Sequence, residues 1–254
     1  MGIAREPIPH WDNKPVPHKS TKIILLSPTS SANPVFNALK HLDPEDIYKE
    51  YTDKNLAQIV ASVEFEKEES LKYQSRLKLW QRCLKMKEAD GLNPEELMEL
   101  EEMGWEPPKK LRFPNGPAVN YLVCDDLVGS ALFKQGKNPF VTLVRKNRHL
   151  SINIMIACQS LRAVNKAIQL NASLLCIFRY GNKKTVEQDI YEEVSGKLTP
   201  EQFLELYEHA TEEDHDALVI DFSQPKNKMF KRNFDTVLKL EGVIKPELSS
   251  TWIT

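Results

Sequence analysis

The sequence predicts an α/β fold: a mainly parallel sheet flanked by helices, interrupted by a helical insertion. Three observations predict it. Short apolar runs recur at residues 22–26 (KIILL), 121–124, 152–158, 173–178 (SLLCIF) and 217–221 (ALVID), and a strand buried on both faces reads as such a run. Stretches of helical spacing alternate with these runs, as crossover connections require. Two runs end in polar groups, Asp125-Asp126 and Gln159. Open α/β sheets bind ligands outside the carboxyl ends of their strands.

Each element has its own justification. Residues 1–21 contain Pro7, Pro9, Pro15 and Pro17 and show no periodicity, so they read as an extended arm. Strand 22–26 is closed by Ser27-Pro28-Thr29-Ser30-Ser31. Asn33 caps a short helix with Pro34 in its first turn, running to about His41. Residues 53–87 are charged with helical spacing, and Leu71, Leu77, Trp80, Leu84 and Met86 form a narrow apolar stripe. Asn93-Pro94-Glu95-Glu96 opens a second helix that ends near Gly104. Prolines 107, 108, 114 and 117 then break the chain, so residues 53–118 form a mostly helical insertion between two strands. After Asp126 comes a loop with Gly129 and Gly136, a helix over 139–148, the strand 152–158 and a short helix over 164–170. The strand 173–178 precedes helices over 183–194 and 199–210, the second opened by Thr199-Pro200-Glu201-Gln202. Strand 217–221 and an edge strand within 229–240 complete an α/β domain over 22–240. Residues 241–254 form a tail.

Composition narrows the function classes. The 254 residues are 41% hydrophobic, enough for one α/β core with an appended piece. Charged residues make up 28% but the net charge is −2, so any nucleic-acid surface is local. Cys83, Cys124, Cys158 and Cys176 are scattered, and three fall in strands expected to be buried; this predicts a reducing compartment, no disulfide frame and no zinc site. No apolar run reaches the roughly 18 residues of a membrane span. The start, Met1-Gly2-Ile3-Ala4-Arg5-Glu6, has neither a secretory apolar region nor a myristoylation serine or threonine.

The chemistry-bearing residues sit at strand ends. One carboxylate of Asp125-Asp126 suits Mg²⁺, held through water or a hydroxyl partner; the other suits polarising an attacking water. Two like charges side by side need a cation or donors to compensate them. The plainer reading is a turn aspartate and a helix cap. Gln159 follows Asp126 by 33 residues, the length of one strand–helix–strand crossover. Its amide can donate to a phosphate and accept from water. Arg145-Lys146-Asn147-Arg148-His149 compensates a helix dipole or supplies Arg148 as a planar, bidentate finger for a neighbouring subunit's phosphate. Lys183-Lys184 and residues 226–232 are further basic patches, read first as solvated surface. A phosphate-binding loop Gly-x-x-x-x-Gly-Lys-Ser/Thr is missing: Gly136-Lys137-Asn138 and Gly196-Lys197-Leu198 lack the hydroxyl. Ser27–Ala32 follows a strand but has neither glycine nor lysine. A Gly-x-Ser-x-Gly nucleophile elbow is absent too.

The ordered run NYLVCDDLVGSALF, LVRKNRHLSINIMIACQSL, IQLNASLLCIFRYGNKKTVEQDIYEEVSG, TPEQFLELYEHAT and HDALVIDF resembles the DNA-packaging ATPases of large eukaryotic DNA viruses, in the FtsK–HerA branch of P-loop ATPases. The resemblance covers roughly residues 22–238. It implies a P-loop NTPase/RecA-like core with ATP and Mg²⁺ as cofactors. It matches Asp125 and Asp126 to Walker B, Asp125 holding Mg²⁺ through water, Gln159 to the sensor glutamine and Arg148 to the finger. Asn171 lies in a segment the family places near the nucleotide. The implied partners are double-stranded DNA, further copies in a ring, and capsid or membrane-associated virion proteins. The implied location is the host cytoplasm, the viral factory or the virion. The family's P-loop strand and helix precede the strand matching 22–26, where this sequence has its proline-rich arm. The expectation is therefore an ATPase fold missing its first strand–helix unit, in a fragment or a degenerate homologue. Two functions follow from it: an ATPase that drives DNA into a capsid, or a pseudo-ATPase with a binding or structural role in a virion or packaging assembly.

Overall fold

The computed structural model describes residues 3–7, 21–32, 36, 42–85, 91–127, 129–134, 136 and 138–240. The strands are β1 (Ile3–Pro7), β2 (Thr21–Leu26), β3 (Ile47–Tyr48), β4 (Val119–Asp125), β5 (Ile152–Ala157), β6 (Leu174–Phe178), β7 (Ala217–Asp221), β8 (Phe230–Arg232) and β9 (Thr236–Leu240). The main helices are α1 (Asp53–Lys85), α2 (Pro94–Glu102), α3 (Pro139–Lys146) and α4 (Pro200–Ala210). The chain divides into two compact units, Pro15–Ile168 and Met1–Lys14 with Gln169–Thr254. The short helix expected from Asn33 to His41 and the tail 241–254 lie outside the described residues, apart from Phe36.

The first unit holds the expected parallel sheet, in the order β3-β2-β4-β5. Its register pairs Ile24 with Leu122 and Leu122 with Ile154, then Leu26 with Cys124 and Cys124 with Ile156. Paired residues share a face of the sheet. That face packs with Leu56, Ile59 and Val63 of α1 and Phe140, Val141 and Leu143 of α3 in one core. Each such side chain stabilises the fold by roughly 1.5–3 kcal/mol when fully buried. The other face is covered less completely. Leu25 is buried, Tyr121 and Val123 are half-buried, and Met155 on the edge strand β5 is 57% exposed. The expectation that 152–158 is buried on both faces is therefore corrected. An edge position leaves Asn153, Met155 and Ala157 to solvent, in a period-two pattern the apolar sequence does not display.

The insertion also differs in detail. The stripe expected through Leu71 and Leu84 is exposed at both residues. The seam that α1 buries is Leu56, Ile59, Val63, Ser70 and Leu79. It starts earlier because the first half of α1 lies on the sheet, where apolar burial is available. Apart from Leu79, the second half is held by polar contacts. Ser70 Oγ donates to the Phe113 carbonyl at 3.2 Å, Arg76 reaches Glu99 and Glu102 at 3.2 and 3.1 Å, and Arg82 pairs with Glu96. Asn93 and Glu96 form the reciprocal capping box that starts α2, and Gly104 at φ 68° follows its end.

At the amino edge of the sheet, Lys22 is only 2% exposed. Its ammonium reaches Glu66 at 2.6 Å, Asp46 at 3.2 Å and Ser62 Oγ at 3.1 Å. Arg112 meets Asp46 from outside at 2.7 Å and also binds Asp43 and Glu45. The network joins β2, α1 and the far end of the insertion.

The second unit is built differently. Its sheet runs β1-β9-β8-β7-β6, every pair antiparallel. One face packs on α4 through Phe203, Leu206, Leu218, Ile220 and Leu238, and Thr199 with Gln202 caps α4 as expected. Strands 173–178 and 217–221 were expected to be parallel, and that is corrected. Strand direction is set by pairing, which an apolar run does not encode. The edge strand β6 alternates exposed and half-buried residues, the one-sided pattern that antiparallel sheets tolerate. The single edge strand expected in 229–240 is two strands, β8 and β9, both inside the sheet. Residues 183–194 form a one-turn helix, a π turn and a 3₁₀ turn in succession. Of the three cysteines expected to be buried, only Cys124 is; Cys176 is exposed on the edge strand β6, and Cys158 is exposed just past the end of β5.

Replacing Lys22 with methionine takes the ion pair from Glu66 and leaves the buried Asp46 with Arg112. The expected cost is about 3 kcal/mol, read as a lower denaturant midpoint of the full chain, whereas Lys49→Met, at an exposed lysine, changes it little.

Candidate functional site at the carboxyl edge of the parallel sheet

Parallel pairing brings three strand ends to one edge. Leu26 pairs with Cys124, and Asp125 pairs with Ala157. Ser27 thus stands level with Asp125, and Gln159 follows the end of β5 by two residues. Asp125 is half-buried, and its Oδ2 accepts a hydrogen bond from Ser27 Oγ at 3.1 Å. Asp126 is exposed and has φ 51°. Aspartate is one of the few non-glycine residues that visit this left-handed region readily. The turn it makes ends the strand and lets the buried Leu127 anchor the following loop.

Two buried asparagines fix the loops around the edge. Asn138 caps α3, its Oδ1 accepting from Phe140 N at 2.8 Å. Its amide donates to the carbonyls of Ala131 and Leu132 at 3.1 and 2.7 Å, and Tyr51 Oη donates to the same Oδ1 at 3.5 Å. Asn165 donates to the Lys134 carbonyl at 2.8 Å and accepts from Ala167 N at 2.9 Å. The loop after Asp126 and the loop after Gln159 are therefore tied to each other. Behind the edge, burial raises the Cys124 thiol to about 12 and the Tyr51 phenol, which also faces the negative charge of Asp53, to about 12. Neither group ionises near neutral pH, so Cys124 is a core residue and no thiolate ligand.

The oxygens offered at the edge are those of two carboxylates, the Thr29 hydroxyl and the Gln159 amide, with the buried Ser27 hydroxyl behind them on Asp125. Hard cations such as Mg²⁺ take such a set. The hydroxyl of Ser30, 6% exposed, has no hydrogen-bond partner among the described residues. The set fits a divalent cation. It does not by itself supply the cradle of a triphosphate, because the sequence holds no Gly-Lys-Ser/Thr.

Asp125 and Asp126 stand at the end of β4, and Gln159 follows the end of the neighbouring parallel strand β5 by two residues. Arg148 lies at the other edge: it is exposed, and its carbonyl accepts from Ser151 N in the turn leading into β5. Seven residues of β4 separate the two edges, roughly 20 Å at 3.3 Å per residue. Asn171 belongs to the second compact unit. Sequence reasoning weighed Ser27–Ala32 only as a phosphate-binding loop and set it aside for want of glycine and lysine. The signal was present as a hydroxyl-rich run directly after an apolar strand, but only pairing shows that it adjoins Asp125.

No family model matches this chain, and no curated protein matches it. Among solved structures, it is similar to the genome packaging NTPase B204 from Sulfolobus turreted icosahedral virus 2 in complex with ATP-gammaS, at 15% identity and a TM-score of 0.39 over 85% of this chain and 81% of that one. It is similar to the pCW3 conjugation coupling protein TcpA with ATPgS at 15% identity and a TM-score of 0.36, over 86% of this chain and 51% of that one. It is similar to EccC (ATPases 2 and 3) of Thermomonospora curvata at 16% identity and a TM-score of 0.37, over 87% of this chain and 30% of that one. Likeness at this level assigns no residue a role, and the site rests on the chain's own geometry.

Asn138→Ala removes a helix cap and two donated bonds from buried carbonyls. The expected loss is about 2 kcal/mol. Asn138→Ser keeps a capping oxygen and loses the donated bonds, so its melting temperature falls between those of the parent and Asn138→Ala.

Proposed function

We propose that this chain is a DNA-translocating ATPase domain of the viral genome-packaging type, and that the carboxyl edge of its parallel sheet carries the metal and water half of the ATP site. The observation that carries the reading is Asp125-Asp126 and Gln159 ending neighbouring parallel strands at one edge. The resemblance of residues 22–238 to packaging ATPases supports it.

In this reading Asp125 holds Mg²⁺ through its carboxylate or a bound water, with its orientation fixed by Ser27. Asp126, free of the sheet and exposed, accepts a hydrogen bond from the attacking water. Gln159 orients that water through its amide, as a donor to phosphate and an acceptor from water. When bound, the Mg²⁺ supplies neutralisation of the charge that develops on the phosphate oxygens. In this reading Arg148, exposed on the far edge, acts on a neighbouring copy in a ring and not on its own site. Asn171 is assigned to nucleotide contact on the resemblance alone. Double-stranded DNA and capsid proteins are the partners, and residues 53–118 are an insertion in the 22–240 domain. No helix among the described residues is long and apolar enough to cross a membrane.

The absence of Gly-Lys-Ser/Thr from the sequence favours a second reading, a pseudo-ATPase that keeps the sheet for binding within a packaging assembly. Titration of the full chain with ATP separates the two. The enzyme reading expects saturable binding that requires Mg²⁺ and weakens at least about 10-fold, or 1.4 kcal/mol, in Asp125→Asn. Asp126→Asn and Gln159→Ala should keep binding and lose turnover. No binding at millimolar ATP with Mg²⁺ sinks the enzyme reading and leaves the second.

A further inference from the structure

Beside the carboxylates stands a wall of hydroxyls. Ser27 is fully buried, and its Oγ donates to Asp125 Oδ2 at 3.1 Å. The same Oγ lies 3.1 Å from Thr29 Oγ1. A hydroxyl has one proton. With the Ser27 proton committed to the carboxylate, Thr29 must donate to Ser27, and the lone pairs of the half-buried Thr29 oxygen remain free to accept. Ser30 is buried, and its Oγ has no hydrogen-bond partner among the described residues, a costly arrangement unless something supplies the missing bond. Ser30 N donates to the Ser27 carbonyl at 3.3 Å and Ala32 N to the Thr29 carbonyl at 2.9 Å, so the three hydroxyl-bearing residues stay in one tight turn.

We propose that Ser27, Thr29 and Ser30 form the second wall of the Asp125 site, a neutral hydroxyl cradle that holds a divalent cation and the phosphate oxygen it carries. The proposal rests on the reading of Asp125 as the cation-bearing carboxylate. The chemistry is consistent along the chain of protons. Ser27 orients Asp125, Thr29 offers lone pairs to the cation or to its bound water, and Ser30 offers its O–H to phosphate. A cradle of this kind contributes no positive charge, unlike the lysine of a phosphate-binding loop. Phosphate is therefore taken up only together with the metal.

Electron paramagnetic resonance of Mn²⁺ with the full chain tests it without turnover, with Mn²⁺ alone and then with inorganic pyrophosphate. Thr29→Val keeps the shape of a half-buried side chain and removes only the oxygen; Thr29→Ser restores it. The expected result is Mn²⁺ binding about 5- to 10-fold weaker in Thr29→Val and Ser27→Ala, and parental in Thr29→Ser. Ser30→Ala should bind Mn²⁺ normally and take up pyrophosphate more weakly, and the parent should bind no pyrophosphate without metal. If Thr29→Val and Ser27→Ala bind Mn²⁺ like the parent while Asp125→Asn does not, the hydroxyl wall is wrong and the carboxylate reading stands. If Asp125→Asn also binds like the parent, or the parent binds no Mn²⁺, both are overturned.

Discussion

Parallel hydrogen bonding of β2, β4 and β5 in one register is the constraint on which the candidate site depends. Because the strands point the same way, their carboxyl ends share an edge. Because Leu26, Cys124 and Ile156 are level, the residues that follow arrive level too. A one-residue slip of β2 would turn Ser27 to the opposite face and leave Asp125 without its donor. The apolar core under that face, with α1 and α3 packed on it, holds the register. Burial, not the polar groups, thus sets the geometry of the edge.

The polar anchors are arranged around that core at its two ends. Lys22, Asp46, Glu66 and Arg112 lock the amino edge to the insertion. Asn138 and Asn165 lock the loops at the carboxyl edge. The division suits a site that must exchange a ligand. The buried ion pairs, which are costly to separate, lie where nothing need move. The carboxyl edge is held by neutral amide bonds and keeps its carboxylates half or fully exposed.

Much of this was legible in the sequence, for identifiable reasons. Asp125-Asp126 and Gln159 announce a shared edge because each ends an apolar run and their separation suits one crossover. The starts of α2 and α4 are legible because Asn93 with Glu96, and Thr199 with Gln202, form capping boxes at fixed spacing. The exposed faces of β5 and β6 were not legible, since an apolar run says nothing of a strand's place in its sheet. The antiparallel direction of β6 and β7 was hidden for the same reason. Ser27 was missed because its meaning lies 98 residues away, in Asp125. Asp126 is legible in type, but its backbone role is visible only from its positive φ.

That backbone role has a consequence for comparing this chain with its relatives. A left-handed turn after a strand accepts glycine most easily, and asparagine and aspartate more readily than the other residues. Conformation alone would let a lineage drift among those three at position 126. A lineage that retains aspartate there and never shows the other two is selecting the charge, and one that wanders among them has kept the turn after giving up the chemistry. The variability of a single residue therefore carries a record of whether the edge still works on a ligand.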